Sequence, residues 1–336
     1  MKKTALITLI LLLVAALFVL PGCQGTEDTP DDQVVTETYS IGIIQYVEHV
    51  ALDSARQGFI DALADNGYVD GENLDIDIQN AQADQSNLST ISDTFIGNNV
   101  DLVLAIATPA AQAIAGKTTE IPILGTAITD YVVAKLVDSN EMPGGNVTGT
   151  NDMNPIADQI DLLVKLVPDA QTVGVIYTSN EDNSILQASI AKDAIEALGL
   201  TYTEVTVSNS NEVQQAVQSL VGQCDAIYIP TDNIMASSMP IIHGVTVDSQ
   251  TPVICGESGM AAAGGLATLG INYYNLGYQT GLMAIKVLTG EATPATMPIE
   301  ASSDFDFYIN GTVADELGMT IPDDLTQYVV YEETTE

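Results

Sequence analysis

The chain has 336 residues, with 45 acidic against eight basic side chains and a net charge of −37. That acid excess excludes nucleic-acid binding, which needs clustered lysine and arginine against phosphate, and it opposes adhesion to anionic lipid headgroups. An apolar content of 46% supports real cores, and the length suits two domains of ordinary size.

At the start, Lys2 and Lys3 precede a nearly unbroken apolar stretch, Ala5–Leu20, which ends in Leu20-Pro21-Gly22-Cys23. A basic n-region, an apolar run too short to span a bilayer with ease and small residues before a cleavage point are the layout of a secretory signal peptide. The Leu-Pro-Gly-Cys ending resembles the bacterial lipobox, which implies lipidation at Cys23 and anchoring on the outer face of the cytoplasmic membrane. Loss of residues 1–22 removes two lysines and no acid, so the mature charge is −39. Residues 23–38 are polar and acidic, with Val34 and Val35 the only bulky apolar residues, and read as a flexible tether.

From Tyr39 the chain alternates strand and helix. Tyr39–Val47 is a β-branched apolar run, Val50–Asn66 is amphipathic and stops at Gly67, Leu74–Ala81 alternates, and Asp84–Gly97 reads as helix. Leu102–Ala107 is continuously apolar, as a fully buried strand should be. Pro109–Gly116 follows as helix, with Thr108 as N-cap and proline in the first turn. Pro122–Ile128 is a strand. Beyond Gly144-Gly145 the pattern restarts: helix 155–166, strand Thr172–Tyr177, helix Ser184–Leu198, strand Tyr202–Val207, helix Asn211–Leu220, and strands Ala226–Ile229 and Pro252–Gly256. Repeated β-α alternation predicts parallel sheets covered by helices. Gly42-Ile43-Ile44 and Gly174-Val175-Ile176 open two similar halves about 130 residues apart, which predicts two α/β lobes facing one cleft.

In such sheets a ligand sits beyond the carboxyl ends of the strands. The loops there offer Gln45, Glu48, Thr108, Thr129, Asp130, Asn180, Asn183, Ser184, Thr231, Asp232, Asn233 and Glu257. Thr108 and Ser184 stand at expected helix N-termini, which favour a carboxylate. Glu48, Asp130, Asp232 and Glu257 suit an ammonium group, and the asparagines suit either. The set matches a zwitterion such as an α-amino acid, while each residue taken alone also fits a helix cap. Arg56 is the only arginine, so phosphate, sulfate and sugar phosphates are poor candidates. Cys224 and Cys255 fit no metal spacing; they read as small buried thiols in strands, with a disulfide the alternative in an oxidising compartment. His49 and His243 alone cannot build a zinc site, and no cofactor is implied. The chain has no G-x-S-x-G, H-E-x-x-H, P-loop or C-x-x-C pattern, which argues against an enzyme.

Six stretches carry a family resemblance: VEHVALDSARQGF (Val47–Phe59), IATPAAQ (Ile106–Gln112), PGGNVTGTND (Pro143–Asp152), NEDNS (Asn180–Ser184), PTDN (Pro230–Asn233) and GINYYNLGYQTG (Gly270–Gly281). In this order they resemble the ABC transporter substrate-binding protein family that includes tryptophan- and tyrosine-binding lipoproteins. The likeness covers about residues 40–325. The chain departs at Val50 and Tyr131, where the family usually has proline. The resemblance implies a type I periplasmic-binding-protein fold: two Rossmann-like parallel-sheet lobes joined by a three-strand hinge. The expected lobes are 39–150 plus 273–305 and 151–272 plus 306–336, with helix Asn275–Leu288 returning to the first. It also implies closure around a small solute, with an aromatic amino acid favoured, and delivery by a monomeric protein to ABC permease subunits. The alternatives are a ligand-binding sensor lipoprotein and a nucleoside-type solute binder.

Overall fold

The computed structural model describes residues 38–302 and 305–331; the leader, Cys23 and the tether up to residue 37 lie outside the described residues. The first lobe runs β1 (Tyr39–Gln45), α1 (Val50–Asp65), β2 (Leu74–Asn80), α2 (Gln85–Asn98), β3 (Leu102–Ile106), α3 (Thr108–Ala115), β4 (Ile123–Ile128) and β5 (Val147–Asn151). The second runs α4 (Ile156–Leu166), β6 (Thr172–Thr178), α5 (Asp182–Ala197), β7 (Thr201–Val207), α6 (Val213–Leu220), β8 (Ala226–Ile229), α7 (Asn233–Ser237), α8 (Met239–Asp248), β9 (Val253–Cys255), α9 (Ser258–Ala262) and β10 (Ala267–Ile271). The chain then crosses back through α10 (Tyr273–Leu288) and β11 (Glu300–Ala301), and returns as β12 (Phe305–Asn310), α11 (Gly311–Glu316) and β13 (Val329–Val330).

Two sheets result, ordered β11-β5-β4-β3-β1-β2 and β13-β12-β10-β9-β8-β6-β7. The first is parallel throughout, and the second is parallel except where β10 meets β12. The order reverses between β1 and β3 and again between β6 and β8. At such points the connections leave to opposite faces and open a crevice at the carboxyl ends of the strands. The central strands are buried on both sides, which is why Leu102–Ile106 is continuously apolar. In the second sheet Ala226 and Tyr228 face one core and Ile227 and Ile229 the other, the two-residue alternation of a pleated strand.

Several expected elements shift. Thr108 is not the N-cap of α3; Ala107 holds that position with φ +81, and Thr108 becomes the first helical residue, buried. The strand turns into the helix within one residue, which forces Ala107 into a conformation rare for any residue but glycine. Helix α5 begins at Asp182 with Glu181 as its N-cap residue, so Ser184 lies inside the first turn. Cys224 sits before β8 rather than in a strand, and both Cys224 and Cys255 are free thiols. The second sheet takes Phe305, expected in the first lobe, into β12 opposite Ile271. Strand β5 was hidden by its polar sequence, VTGTN. Its threonines are buried because each hydroxyl is bonded: Thr148 donates to the Met297 carbonyl, and Thr150 pairs with Thr126 and Thr280.

Helix α10 is tied to the first lobe by a close approach to α1. A Cβ at Gly277 would stand 1.9 Å from the Ala55 carbonyl oxygen, and one at Gly58 would stand 2.0 Å from that of Tyr274. Glycine at both positions lets the two backbones touch. Tyr131 fixes the nearby corner: its buried ring lies over Gly125 and Gly149, and its hydroxyl donates to the Thr150 carbonyl at 2.9 Å. Gly277→Ala is expected to push the helices apart at a cost of about 2 kcal/mol or more. Thermal unfolding should record a drop of several degrees, and an unchanged melting temperature would refute the close contact.

Candidate ligand-binding cleft

The segments after β1, β4, β5, β6, β8, β9 and β10 meet between the sheets around a cavity of about 20 Å3, room for about one water centre. Its wall includes six expected residues: Thr129, Asn183, Thr231, Asp232, Asn233 and Glu257. The other six take other places. Gln45 is fully buried at the end of β1, where Nε2 donates to the Val47 carbonyl and to Asp53 and Oε1 accepts from Arg56. Arg56 also pairs with Asp53 at 3.1 Å, so the one arginine is committed to holding the loop after β1. Asp130 accepts from the amides of Val132 and Val133 and caps a turn. Thr108 and Ser184 are buried outside the wall, and Asn180 and Glu48 are exposed.

The wall also holds His49, Ala51, Leu52, Ala127, Asp152, Ala236, Met260 and Tyr273. None was named as a site residue from sequence, although His49, Ala51, Leu52, Asp152 and Tyr273 lie within three of the stretches that carry the family resemblance. Asp152 follows β5, and without that strand its loop had no place in the cleft; His49 precedes α1, and Tyr273 opens α10.

The carboxyl groups define the electrostatics. Asp152, Asp232 and Glu257 line the cavity and Glu181 lies just behind; all four are buried, and among the described residues no lysine or arginine reaches the wall. Asp232 is already committed. Its Oδ2 accepts from the Thr178 amide at 2.6 Å, and its Oδ1 accepts from the Thr178 hydroxyl at 2.8 Å and the Met235 amide at 2.9 Å. Glu257 likewise caps α9, accepting from the amides of Gly259 and Met260 at 2.5 and 2.7 Å. Asp152 differs. Oδ2 accepts from the Tyr273 hydroxyl at 2.6 Å, while Oδ1 accepts no hydrogen bond, although Thr129 lies near enough to favour its charge. Asn183 Nδ2 donates to the Thr231 carbonyl and to Glu181, which fixes the amide's orientation and leaves Oδ1 buried without a partner.

Burial without counter-charge raises each acid. Glu257 is pushed up to about 7 by desolvation, against the pull of its two amides. Glu181 is pushed up to about 8, by desolvation first and then by the like charge of Asp232, whose own carboxyl is also raised by burial. His49 moves the other way, down to about 4, because burial disfavours its cation.

Hydrogen bonds join the lobes across the cleft, among them Gln187 to Thr129 Oγ1 at 3.1 Å, Gln112 to Asp182 at 2.8 Å, and His49 Nε2 to Asn233 Oδ1 at 3.4 Å. Val50 closes the seam against Gly259. The cavity is narrow because the lobes are shut.

A cleft walled by strand ends of two doubly wound lobes, with polar bridges across it, defines a solute-binding protein. Residues 40–331 match the family model described as ABC transporter substrate binding protein, and the chain belongs to that family. These are extracytoplasmic solute-binding proteins that serve ABC transporters. A relative from Clostridioides difficile (strain R20291), a tyrosine-binding protein, is 41% identical over 95% of this chain and 93% of its own. The structure matches an ABC domain from Streptococcus pneumoniae in complex with L-Trp, with a TM-score of 0.85 at 39% identity over 88% of this chain and 100% of that one. It matches a ligand-free, open substrate-binding protein with adhesive properties from Clostridium difficile less well, with a TM-score of 0.68, although identity is 44% over 88% of this chain and 100% of that one. The likeness to the L-Trp complex is therefore greater than the likeness to the open form, although the sequence identity is lower.

The raised acids carry a pH dependence. Between pH 6.5 and 8 the native protein holds protons on Glu181, and on Glu257 in the lower part of the window, that the unfolded chain has already lost. Stability without solute should therefore fall as pH rises through that window, by about 1–2 kcal/mol. His49 acts with the opposite sign, but only below its ordinary value of 6.5. Melting curves at pH 6.5 and 8 test this, and Glu181→Gln should flatten the difference; equal melting temperatures in the native protein would contradict it.

Proposed function

We propose that this chain is the solute-capturing lipoprotein of an ABC uptake system, and that its solute is an α-amino acid with an aromatic side chain. The observation that carries this reading is the pair of unpartnered buried acceptors, Asp152 Oδ1 and Asn183 Oδ1, in a wall of acids without a cation. A buried acceptor left unbonded costs about 1–3 kcal/mol, more when charged. A primary ammonium supplies both positive charge and three N–H donors, so it meets the need of this wall. Asp152 takes the role that the sequence suggested for Asp232, whose oxygens are already filled.

The solute's carboxylate finds support from the main chain. The pairing of β4 with β5 slips between Gly125 and Ile128, and Ala127 stands there at φ +55 on the cavity wall. Such a bulge turns peptide groups out of the ladder. Helix α1 also points its N-terminus at the wall, with no side-chain cap from His49. Ala51, Leu52, Ala236 and Met260 supply apolar surface for a side chain. The tyrosine-binding relative and the L-Trp complex favour an aromatic one. Charge-assisted hydrogen bonds of roughly 1.5–3 kcal/mol each, with about 1.5–3 kcal/mol for a buried apolar side chain, reach the about 8 kcal/mol of a micromolar complex.

Calorimetry with the twenty amino acids should show binding by tyrosine or tryptophan. Asp152→Asn should weaken it tenfold or more, about 1.4 kcal/mol, with little change in melting temperature. Heat from none of the amino acids would overturn the assignment.

We propose anchoring through a lipidated Cys23, on the strength of the basic, apolar and Leu-Pro-Gly-Cys order of residues 2–23. Cys23→Ser should move the protein from membrane to soluble fractions with its binding intact. Retention in the membrane would count against the anchor.

A further inference from the structure

His49 stands between the cavity and a second recess. Asn233 Nδ2 donates to Glu181 Oε2 at 2.5 Å, so Asn233 Oδ1 is the atom that faces His49. The bond at 3.4 Å therefore places the imidazole proton on Nε2. The ring is neutral at neutral pH, since burial pushes its pKa down to about 4. Its Nδ1 is then a lone-pair acceptor, and that atom is buried with no partner. His49 also lines a recess of about 170 Å3 at the lobe seam, where Val50, Ala236, Pro240, Met260 and Ala263 give a largely apolar surface and Glu48 and Glu257 are the charged groups. His49, Ala236, Glu257 and Met260 belong to both spaces, so the recess adjoins the cavity at the imidazole.

We propose that this recess receives the solute's side chain and that His49 Nδ1 accepts a hydrogen bond from an N–H or O–H on its ring. This inference rests on the amino-acid reading and narrows it to aromatic amino acids carrying a ring donor. Two carboxylates also border the recess: Glu257, each of whose oxygens already accepts an amide of α9, and Glu48, which is exposed. The ring polar groups of tyrosine and tryptophan are donors, and phenylalanine has none. An apolar ring in the recess would leave Nδ1 buried and unmet, which a site built around a hydrogen bond penalises. Because Nε2 of the same ring holds Asn233 on the opposite lobe, the residue that reads the side chain also bridges the closed cleft.

Calorimetry on the full chain with L-tyrosine, L-tryptophan and L-phenylalanine tests this. Tyrosine and tryptophan should bind about tenfold or more tighter than phenylalanine. His49→Leu keeps an apolar side chain but removes the acceptor, and should bring the tyrosine-to-phenylalanine ratio close to one. His49→Gln returns an amide oxygen and should restore part of the preference. A merely bridging histidine would weaken all three ligands alike. Such a uniform loss, or equal affinity for tyrosine and phenylalanine in the unmodified protein, would overturn the role of His49 and leave the amino-acid reading standing. Failure of all three to bind the unmodified protein would overturn both.

Discussion

Four carboxyl groups are buried where two parallel sheets face each other, and among the described residues no lysine or arginine reaches the cavity they surround. Removing a carboxylate from water is expensive unless hydrogen bonds or a counter-charge replace hydration. The fold supplies the hydrogen bonds in a particular way. Short helices begin just beyond β8 and β9, and their N-terminal amides take up Asp232 and Glu257. What the fold leaves unmet around the cavity, at Asp152, Asn183, Glu181 and His49, is a demand for donors. The same demand explains the loop architecture, because residues from both lobes must face each other for the deficit to exist at all.

Closure rests on bonds that can be released at modest cost. Gln187 is the clearest case: its amide nitrogen bonds Thr129 across the cleft and also the Asn183 and Thr231 carbonyls within its own lobe, while its oxygen accepts from Thr231. When the lobes part, Gln187 keeps its local partners and loses one bond. The chain connects the lobes after β5, after β10 and between β11 and β12, so motion is confined to a hinge. A solute shifts the balance only by the contacts it makes in the closed state alone. Polar groups placed on opposite lobes, such as Thr129 and Asn183, meet that condition.

Much of this was legible in the residues. The alternation of apolar strands with amphipathic helices is a local property, and it marked the first lobe and most of the second. Strand β5 escaped because its buried face is threonine, whose hydroxyls are tolerated in a core only through partners distant in sequence, Met297 and Thr280. The loops after strands pointed to Thr129, Asn183, Thr231, Asp232, Asn233 and Glu257. They pointed equally to Asp130 and Gln45, since an Asp or Gln after a strand looks the same whether it faces a ligand or caps its own turn.

By itself, then, the sequence determined two wound α/β lobes, a strongly acidic chain with a single arginine, and the loops that ring the cleft. These follow from periodicity, charge and strand order, which are readable along the chain. Only the tertiary structure decided which polar atoms are spent and which remain. Asp232 is filled by Thr178 and Met235, Asp152 keeps a free oxygen, and His49 keeps a free nitrogen because Glu181 orients Asn233. Hydrogen-bond satisfaction is a balance over neighbours brought together from 50 to more than 180 positions apart, and no local pattern encodes it.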